Sequence, residues 1–356
     1  MNNLKKPLFL KISLNDKILF VRNLSMLLKS GVNIIEALDI LKNNTRSKAL
    51  KYILSLAIQD IQKGQFLSNS LAKFKEVFGD FFVNIINVGE LTGTLPENLD
   101  KLEKELSQIG GVRRKIITTM IYPTFIIGTM IVLVIFVIYF IFPKILPIFE
   151  NLGVELPLIT KIFIKISTFL IENTAEIILG IFIFIISIIA GLKFQKTRYY
   201  IHLIFLNIPL FSGLFKNYIL AEFARILSLL LGSGLKLVES LEISGNALSN
   251  EVYKKTLQQV ASEILAGRPL NEILAKFPKF FPYNFVKMIE IGERTGNLEK
   301  NLKYLSENLE EDVSTFLERF VNILEPLILI IIAVTIGFMA VSIILPIYEL
   351  SEKIKP

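Results

Sequence analysis

The sequence contains one long internal repeat, in which each residue of the first copy matches the residue 203 positions later. The segment that begins at Phe20, FVRNLSMLLKSGVNIIEALDI, aligns with FARILSLLLGSGLKLVESLEI, which begins at Phe223. The same offset pairs GQFLSNSLAKF at Gly64 with GRPLNEILAKF at Gly267, and it continues without a gap into the apolar run that follows each copy. Such a repeat indicates that the chain folds into two copies of one structural unit.

Long uncharged, apolar runs lie at 116–142, 177–192 and 326–348. They raise the hydrophobic fraction to 52% and the mean hydropathy to +0.56, which is too apolar for a chain that water surrounds on all sides. A helix needs roughly 20 apolar residues to cross the hydrocarbon core of a bilayer. We therefore predict three transmembrane helices, at 116–142, 175–194 and 321–348, of which the second is near the lower length limit.

Basic residues beside the apolar runs predict the orientation of the chain, because such residues tend to remain in the cytoplasm. Arg113, Arg114 and Lys115 precede the first run, and Lys193, Lys196 and Arg198 follow the second. The N-terminus is accordingly expected in the cytoplasm and the C-terminus outside, in a multi-pass membrane protein. The remaining segments are a short N-terminal arm at 1–16, a first cytoplasmic domain at 17–115, an external loop at 143–174, a second cytoplasmic domain at 195–320 and an external tail at 349–356.

The net charge of +7 comes from basic residues that are dispersed among carboxylates and are most concentrated beside the apolar runs. This distribution favours contact with anionic lipid headgroups of the bilayer, and it argues against direct binding of nucleic acid. Within the two domains the apolar residues recur at intervals of three and four, as in Leu24, Leu27 and Leu28. We predict an all-α membrane protein with two repeated helical bundles of about six short helices each.

The sequence offers little for catalysis. It has no cysteine and a single histidine, His202, so thiolate chemistry, a histidine-pair metal site and the usual catalytic triad are excluded. It also has no GxxxxGK[ST], GxSxG or HExxH motif, and we expect neither a cofactor nor enzymatic activity. An acidic run could bind a divalent cation, although a solvated surface is the favoured interpretation. Its members are Glu307, Glu310, Glu311 and Asp312.

The most repeated local pattern is a Gly-Glu-x-Thr-Gly sequence that closes each copy. A contact or ion site is one interpretation of it. The favoured alternative is structural: the first glycine allows close helix packing, the second takes a left-handed conformation at a helix end, and the glutamate fixes the turn. The residues are Gly89, Glu90, Thr92 and Gly93, and their counterparts Gly292, Glu293, Thr295 and Gly296.

Two arginines and two glutamates also occupy matching positions in the copies. Arg22 and Arg225, with Glu36 and Glu239, either form an ion pair within each domain or contact a partner protein. The ion pair is the favoured interpretation, because charged residues on helical domains commonly serve a solvated face.

The edge of the third apolar run combines a carboxylate with a proline. Glu325 directly precedes Pro326, which matches Pro123 of the first run and suits either a helix start or a kink. Glu325 lies at the cytoplasmic edge of the predicted span, where it either contacts another subunit or is solvated among the lipid headgroups.

These motifs, taken in order, resemble the type II secretion F-domain family, which includes the inner-membrane platform proteins of type IV pili. The resemblance rests on the repeat openings at Phe20 and Phe223, both Gly-Glu-x-Thr-Gly sequences, and IYPTF around Pro123. The segments FPKILPIFENLGVELPLIT from Phe142 and LEPLILIIIAVTIGFMAVSIILPIYEL from Leu324 are similar to that family as well. The likeness covers nearly the whole chain.

The resemblance implies a non-enzymatic platform between a cytoplasmic assembly ATPase and the pilin or pseudopilin subunits, together with other inner-membrane assembly components. It also implies a homo-oligomer, with a dimer favoured. A pilus, a secretion system and a competence pilus for DNA uptake share such platforms, so the sequence leaves these three open. A small repeat-built transporter is a weaker alternative, because the conspicuous repetition lies in the predicted cytoplasmic domains rather than in the spans.

Overall fold

The computed structural model describes residues 10–141, 143–144, 147, 158–191, 194–209 and 211–353, and the secondary structure of these residues is helical. The first copy of the repeat contains the helices α1 Leu14–Lys29, α2 Ile34–Asn44, α3 Lys48–Gln62, α4 Leu67–Ala72, α5 Lys75–Phe78, α6 Asp80–Thr92 and the start of α7 Leu95–Phe136, which ends in a π-helical turn at Val137–Ile141. The later helices are α8 Leu158–Glu172, α9 Thr174–Gly191, α10 Gln195–Asn207, α11 Ser212–Gly232, α12 Leu237–Ala247, α13 Glu251–Ile264, α14 Leu270–Leu274, α15 Tyr283–Thr295 and α16 Leu298–Lys353.

The helices of the two copies follow the same offset of 203 residues. Helices α2 and α12, α6 and α15, and α7 and α16 begin at matching residues. The turn that separates α1 from α2 is set locally, because Gly31 has a φ of 83° and the side chain of Asn33 accepts a hydrogen bond from the Ile35 amide at 2.8 Å. Gly234, the counterpart of Gly31, has a φ of 93°.

The chain divides into two compact units. One comprises Met1–Arg114 and Arg198–Ser314 and contains both copies of the repeat; the other comprises Lys115–Thr197 and Thr315–Pro356 and contains the apolar runs. In the first unit each copy has its own buried core, one centred on residues such as Phe82 and Leu54 and the other on Phe223 and Tyr253. The core of the first copy also includes Ile226, Leu230 and Ile243 of the second copy, so the two copies pack against each other within this unit.

Among the described residues, two helices are long and apolar enough to cross a membrane, Leu95–Ile141 and Leu298–Val341, and only 11% of the most apolar window of each is buried. An apolar helix surface left uncovered by protein is suited to contact with lipid. The predicted span at 175–194 corresponds to α9, which passes the same test only together with the helix before it, across a bend of 71°. A second bent pair, Thr197–Asn207 with Ser212–Gly232, buries Leu206, Leu220 and Phe223 in the core of the second copy.

Two details differ from the sequence-based expectation. Helix α8 occupies the latter part of the 143–174 connection, which was expected to be a loop; residues 142, 145–146 and 148–157 lie outside the described part of the chain. Pro326 does not begin a helix, because α16 runs through it without interruption from Leu298. Pro123 likewise lies inside α7. A proline within a long apolar helix is tolerated where neighbouring groups satisfy the carbonyl that loses its donor.

Candidate functional site

The first glycine of each Gly-Glu-x-Thr-Gly sequence lies at a close crossing of two helices. A Cβ atom at Gly89 would be 2.8 Å from the Cα atom of Leu95, and one at Gly292 would be 2.9 Å from the Cα atom of Leu298. Both distances are well below a normal van der Waals separation. The backbone of α6 can therefore approach the start of α7 only because residue 89 has no side chain, and the same holds for α15 and α16.

The second glycine of each sequence ends a helix in the left-handed conformation that was expected. The φ of Gly93 is 72° and that of Gly296 is 68°, in the region where an L side chain is strained. The threonine before each glycine bonds back to the preceding turn of its helix. The hydroxyl of Thr92 donates to the carbonyl of Val88 at 2.7 Å, and that of Thr295 donates to Ile291 at 2.8 Å.

The glutamate of each sequence contacts the start of a different helix. The Glu90 carboxylate accepts hydrogen bonds from the backbone amides of Leu67 and Ser68 at 2.6 and 2.9 Å, at the N-terminus of α4. Glu293 accepts from Leu270 and Asn271 at 2.7 and 2.9 Å, at the N-terminus of α14. A carboxylate in this position satisfies amides that have no partner within the helix and complements the helix dipole. Each glutamate thus ties α4 or α14 to the helix that carries the motif.

The arginine of the first copy forms an ion pair, but with a different residue from the expected one. The guanidinium of Arg22 contacts the carboxylate of Glu103 on α7, and Arg22 Nε lies 3.0 Å from Glu103 Oε1. Glu36 is exposed on α2, and so is its counterpart Glu239 on α12. The expected pairing of the arginines with these two glutamates is therefore not what the described contacts show. Because 57% of the Arg22 side chain is exposed, its ion pair contributes little to stability.

The arginine of the second copy lies in a much more buried cluster. Arg225 contacts Glu310 of its own copy and Glu105 of the first copy, and the side-chain exposures are 10% for Arg225 and 3% for Glu105. Glu222, one helical turn before Arg225, is half-buried in the same cluster. Three carboxylates and one guanidinium thus meet where the two copies adjoin.

Burial controls the protonation of this cluster. Loss of hydration raises the pKa of Glu222 from 4.5 to about 7, although Arg225 partly opposes the change. Burial also raises the pKa of Glu105, again against the attraction of Arg225. The pKa of Arg225 is raised, because Glu105 and Glu310 outweigh the effect of burial on its charged form. Three acids around one guanidinium favour retention of a proton by the cluster near neutral pH.

The acidic run on α16 separates into members with different contacts. Glu310 pairs with Arg225, whereas Glu307, Glu311 and Asp312 are exposed. Within the described ranges, no group of three or more histidine, aspartate or glutamate side chains is arranged to hold a metal ion. His202 has a local structural contact, because its Nδ1 accepts a hydrogen bond from the Glu251 amide at 3.1 Å, at the start of α13.

Three of the predicted residues belong to the second unit. Pro123 is buried within α7, whereas Glu325 and Pro326 are exposed on α16. Nearby, the Lys115 ammonium donates to the Glu318 carboxylate at 2.9 Å.

Two of the three acids in the buried cluster, Glu105 and Glu222, were not predicted from the sequence. Glu105 and Glu222 have no acidic counterpart, because the matching residues of the other copy are Asn308 and Leu19. A search for positions at which the two copies differ in charge would have identified both. The search for matching motifs passed over them because it selects what the copies share.

Comparison with known proteins agrees with this duplicated architecture. A family model described as "Type II secretion system (T2SS), protein F" matches residues 20–143 and again residues 223–346. The type IV pilus assembly protein PilC of Thermus thermophilus is 30% identical over 95% of this chain and 83% of that protein. PilC of Pseudomonas aeruginosa is 26% identical over 96% of this chain and 91% of that protein.

A relative from a secretion system is similar to the same extent. The type II secretion system protein F of Aeromonas hydrophila is 26% identical over 96% of this chain and 88% of that protein. The family match falls on both copies of the repeat and on the long helix that follows each, and together the two matched ranges span more than half of the chain. The chain therefore belongs to the type II secretion system protein F family, with one family domain in each copy of its repeat.

Proposed function

We propose that this chain is a non-enzymatic inner-membrane platform of a type IV pilus or a type II secretion system. In this role it receives the motion of a separate cytoplasmic assembly ATPase and passes it to pilin or pseudopilin subunits in the membrane. The observation that carries the proposal is the double match to the protein F family, in which each matched range includes a helical domain and the apolar helix that continues from it.

The continuity of α7 and α16 supports a mechanical role. Each helix begins at the Gly-Glu-x-Thr-Gly sequence of its domain and continues into an apolar segment. The close glycine crossing fixes the start of each long helix to the helix before it, and the glutamate ties that preceding helix to α4 or α14. A displacement of the domain would then be carried along a hydrogen-bonded helix rather than lost in a flexible linker.

The topology we propose follows the basic flanks. The domains at 17–115 and 195–320 face the cytoplasm, the spans are 116–142, 175–194 and 321–348, and the segments at 143–174 and 349–356 lie outside. Arg113, Arg114 and Lys115 then meet the anionic headgroups of the inner leaflet. The proposed partners are the assembly ATPase, the pilin or pseudopilin subunits, other inner-membrane assembly components and at least one further copy of this chain.

Purified protein provides a direct test of whether ATP hydrolysis belongs to a separate protein that this chain binds. The full-length chain, in detergent or nanodiscs, should hydrolyse no ATP but should bind the assembly ATPase encoded by the same organism. Glu36 and Glu239 are the first surface positions to test, because both are exposed and occupy matching sites on α2 and α12. Charge reversal there, as in Glu36→Lys, is expected to weaken ATPase binding about tenfold without unfolding.

A matched control comes from the second domain. Glu272 is an exposed carboxylate on the short helix α14, and Glu272→Lys should leave binding unchanged if α2 and α12 form the contact. ATP hydrolysis by the purified chain alone, or the absence of any interaction with the ATPase in the membrane-embedded form, would contradict the proposed role.

A further inference from the structure

The second copy of the repeat covers part of the first copy within the same chain. Ile226 and Leu230 on α11 and Ile243 on α12 are buried in the core of the first copy. Polar contacts accompany them, because Arg225 binds Glu105 and the Lys101 ammonium donates to the Gly232 carbonyl at 2.8 Å. Helices α11 and α12 thus present one face to their own core and another to the first copy.

Within the described part of the chain, the matching face of the first copy has no such cover. We call it the open face and define it as Leu19, Arg22, Asn23 and Met26 on α1 with Asn44 on α2. The exposed fraction is 43% for Leu19 and 57% for Met26. The Arg22 side chain is 57% exposed, whereas that of its counterpart Arg225 is 10% exposed. Exposed apolar residues at the positions that form an interface in the other copy indicate a surface that is suited to cover.

A cavity of about 420 Å³ marks the same face. Its lining includes Asn15, Leu19, Asn23 and Asn44. The counterparts of these four residues are Tyr218, Glu222, Ile226 and Ala247. Tyr218 and Glu222 adjoin Ile109 and Val112 of the first copy, and Ile226 and Ala247 pack on its core. The space that the first copy fills beside α11 is therefore empty beside α1.

The surface that would fill it is also present in the chain. The residues of α7 that adjoin α11 include Lys101, Glu105 and Ile109. Their counterparts on α16 are Tyr304, Asn308 and Asp312, all of which are exposed, Tyr304 to 55%. We call the surface made by Tyr304, Glu307, Asn308, Glu311 and Asp312 the acidic face.

Charge disfavours contact of the acidic face with a second acidic face, because it carries three exposed carboxylates, those of Glu307, Glu311 and Asp312. The open face has no such excess of negative charge. Arg22 is paired there with Glu103, and Arg46 and Asp16 both line its cavity.

We propose that a second copy of this chain places the acidic face of its second domain on the open face of the first domain, which reproduces between chains the contact that already joins the two domains within one chain. Each such contact joins two different surfaces. In a dimer with a twofold axis the contact would be made twice, so that both open faces are covered. This arrangement specifies the homo-oligomer of the proposed function.

Cysteine crosslinking tests the pairing, and the chain has no native cysteine to interfere. Met26→Cys and Tyr304→Cys are placed on two differently tagged full-length chains, which are coexpressed and treated in membranes with a short bismaleimide. The expected result is a crosslinked dimer that carries both tags. The matched positive control is Leu229→Cys with Lys101→Cys in one chain. Leu229 is the counterpart of Met26 and Lys101 that of Tyr304, and both line one cavity, so they should crosslink within the chain. Lys63→Cys, exposed at the end of α3, replaces Met26→Cys as the negative control.

Each alternative outcome would overturn the proposal. Crosslinks only between two Met26→Cys chains would show a symmetric interface, and crosslinks only to another protein would assign the open face to a different partner. Absence of any product, with the positive control intact, would show that the faces do not meet. None of these outcomes depends on pilus assembly or secretion, so failure here leaves the platform role standing.

A single substitution tests the contact by affinity. Met26→Glu places a carboxylate on the open face opposite the acidic face, and it should increase the dimer dissociation constant at least tenfold in detergent. Leu91→Glu is the matched control, because Leu91 is an exposed apolar residue of the same domain, at 65%, outside both faces. Thermal unfolding of the two variants should be alike. Equal dissociation constants for Met26→Glu and the unsubstituted chain would contradict the proposal.

Discussion

Arg225, on the first long helix of the second domain, forms a buried ion pair with Glu105, on the last helix of the first domain. The side chain of Glu105 is 3% exposed, so its charge has little access to water. A buried ion pair is strongly destabilised when one partner is removed, because the remaining charge is left without compensation. Removal of Arg225 is therefore expected to weaken the contact between the two domains.

The first prediction compares the two matching arginines. Arg225→Ala should lower the free energy of unfolding by about 3–5 kcal/mol, whereas Arg22→Ala should change it by about 1 kcal/mol or less. The difference follows from exposure, 10% for the Arg225 side chain and 57% for Arg22. Urea unfolding of the full-length protein, followed by circular dichroism, measures both. Similar losses in the two variants would contradict the buried cluster.

The second prediction concerns pH. A carboxyl group with a pKa raised on folding binds its proton more tightly in the folded state, so its contribution to stability falls as pH rises from the unfolded pKa to the folded one. For Glu222 this window runs from 4.5 to about 7. Glu222→Gln should remove that decline and should be more stable than the unsubstituted chain at pH 8 by up to about 3 kcal/mol. Unfolding measured between pH 5 and pH 8 tests the sign.

The control for this prediction is Glu239→Gln, at an exposed position on α12. It should leave the pH profile of the unsubstituted chain unchanged. A Glu222→Gln variant that still loses stability as steeply as the unsubstituted chain over the same range would assign the decline to other groups.

The third prediction separates two kinds of glycine. Gly89→Ala should destabilise the first domain by about 1–3 kcal/mol, because the added methyl group would overlap the backbone of Leu95. Gly111→Ala, in helix α7, should be neutral or stabilising by up to about 1 kcal/mol, since nothing lies within 4 Å of its added methyl group. Thermal melting of both variants checks the contrast. A Gly89→Ala protein as stable as Gly111→Ala would show that the helix crossing is loose.

The fourth prediction addresses topology. Lys63 and Ala266 are exposed and occupy matching positions in the two domains, so a cysteine at either should react with a membrane-impermeant maleimide only from the cytoplasmic side. A cysteine in place of Gly153 or Ser351 should react only from the opposite side. Ser68, on α4, is 2% exposed and is a poor labelling site despite its polar side chain. Labelling of Ser351→Cys from the cytoplasmic side alone would exclude three spans.

The sequence predicts the duplicated helical architecture well, because the repeat and the apolar periodicity record which residues each domain buries. The left-handed glycines were also predictable, since Gly93 and Gly296 follow apolar helical stretches and precede the next helix start. In both cases the signal is local, and the backbone conformation depends on residues close in the chain.

The ion-pair partners were not predictable in this way. The arginine of each domain pairs with the long helix of that domain, but the two partners lie one helical turn apart. Arg22 pairs with Glu103, whose counterpart is Ser306. Arg225 pairs with Glu310, whose counterpart is Ser107. Periodicity identifies the helix face that a residue occupies, and residues one turn apart share that face. It does not specify which side chain lies opposite on another helix, and so the exposed Glu36 and Glu239 were equally plausible partners.

The measurement that tests the platform role most directly is a clean deletion of the gene, with complementation by the full-length chain. The account predicts loss of surface fibres or of pseudopilin-dependent secretion, while pilin synthesis, pilin insertion in the membrane and ATP hydrolysis by the assembly ATPase persist. Complementation should restore assembly. Normal fibre assembly and secretion in the deletion strain, when its genome encodes no second platform protein, would contradict the account.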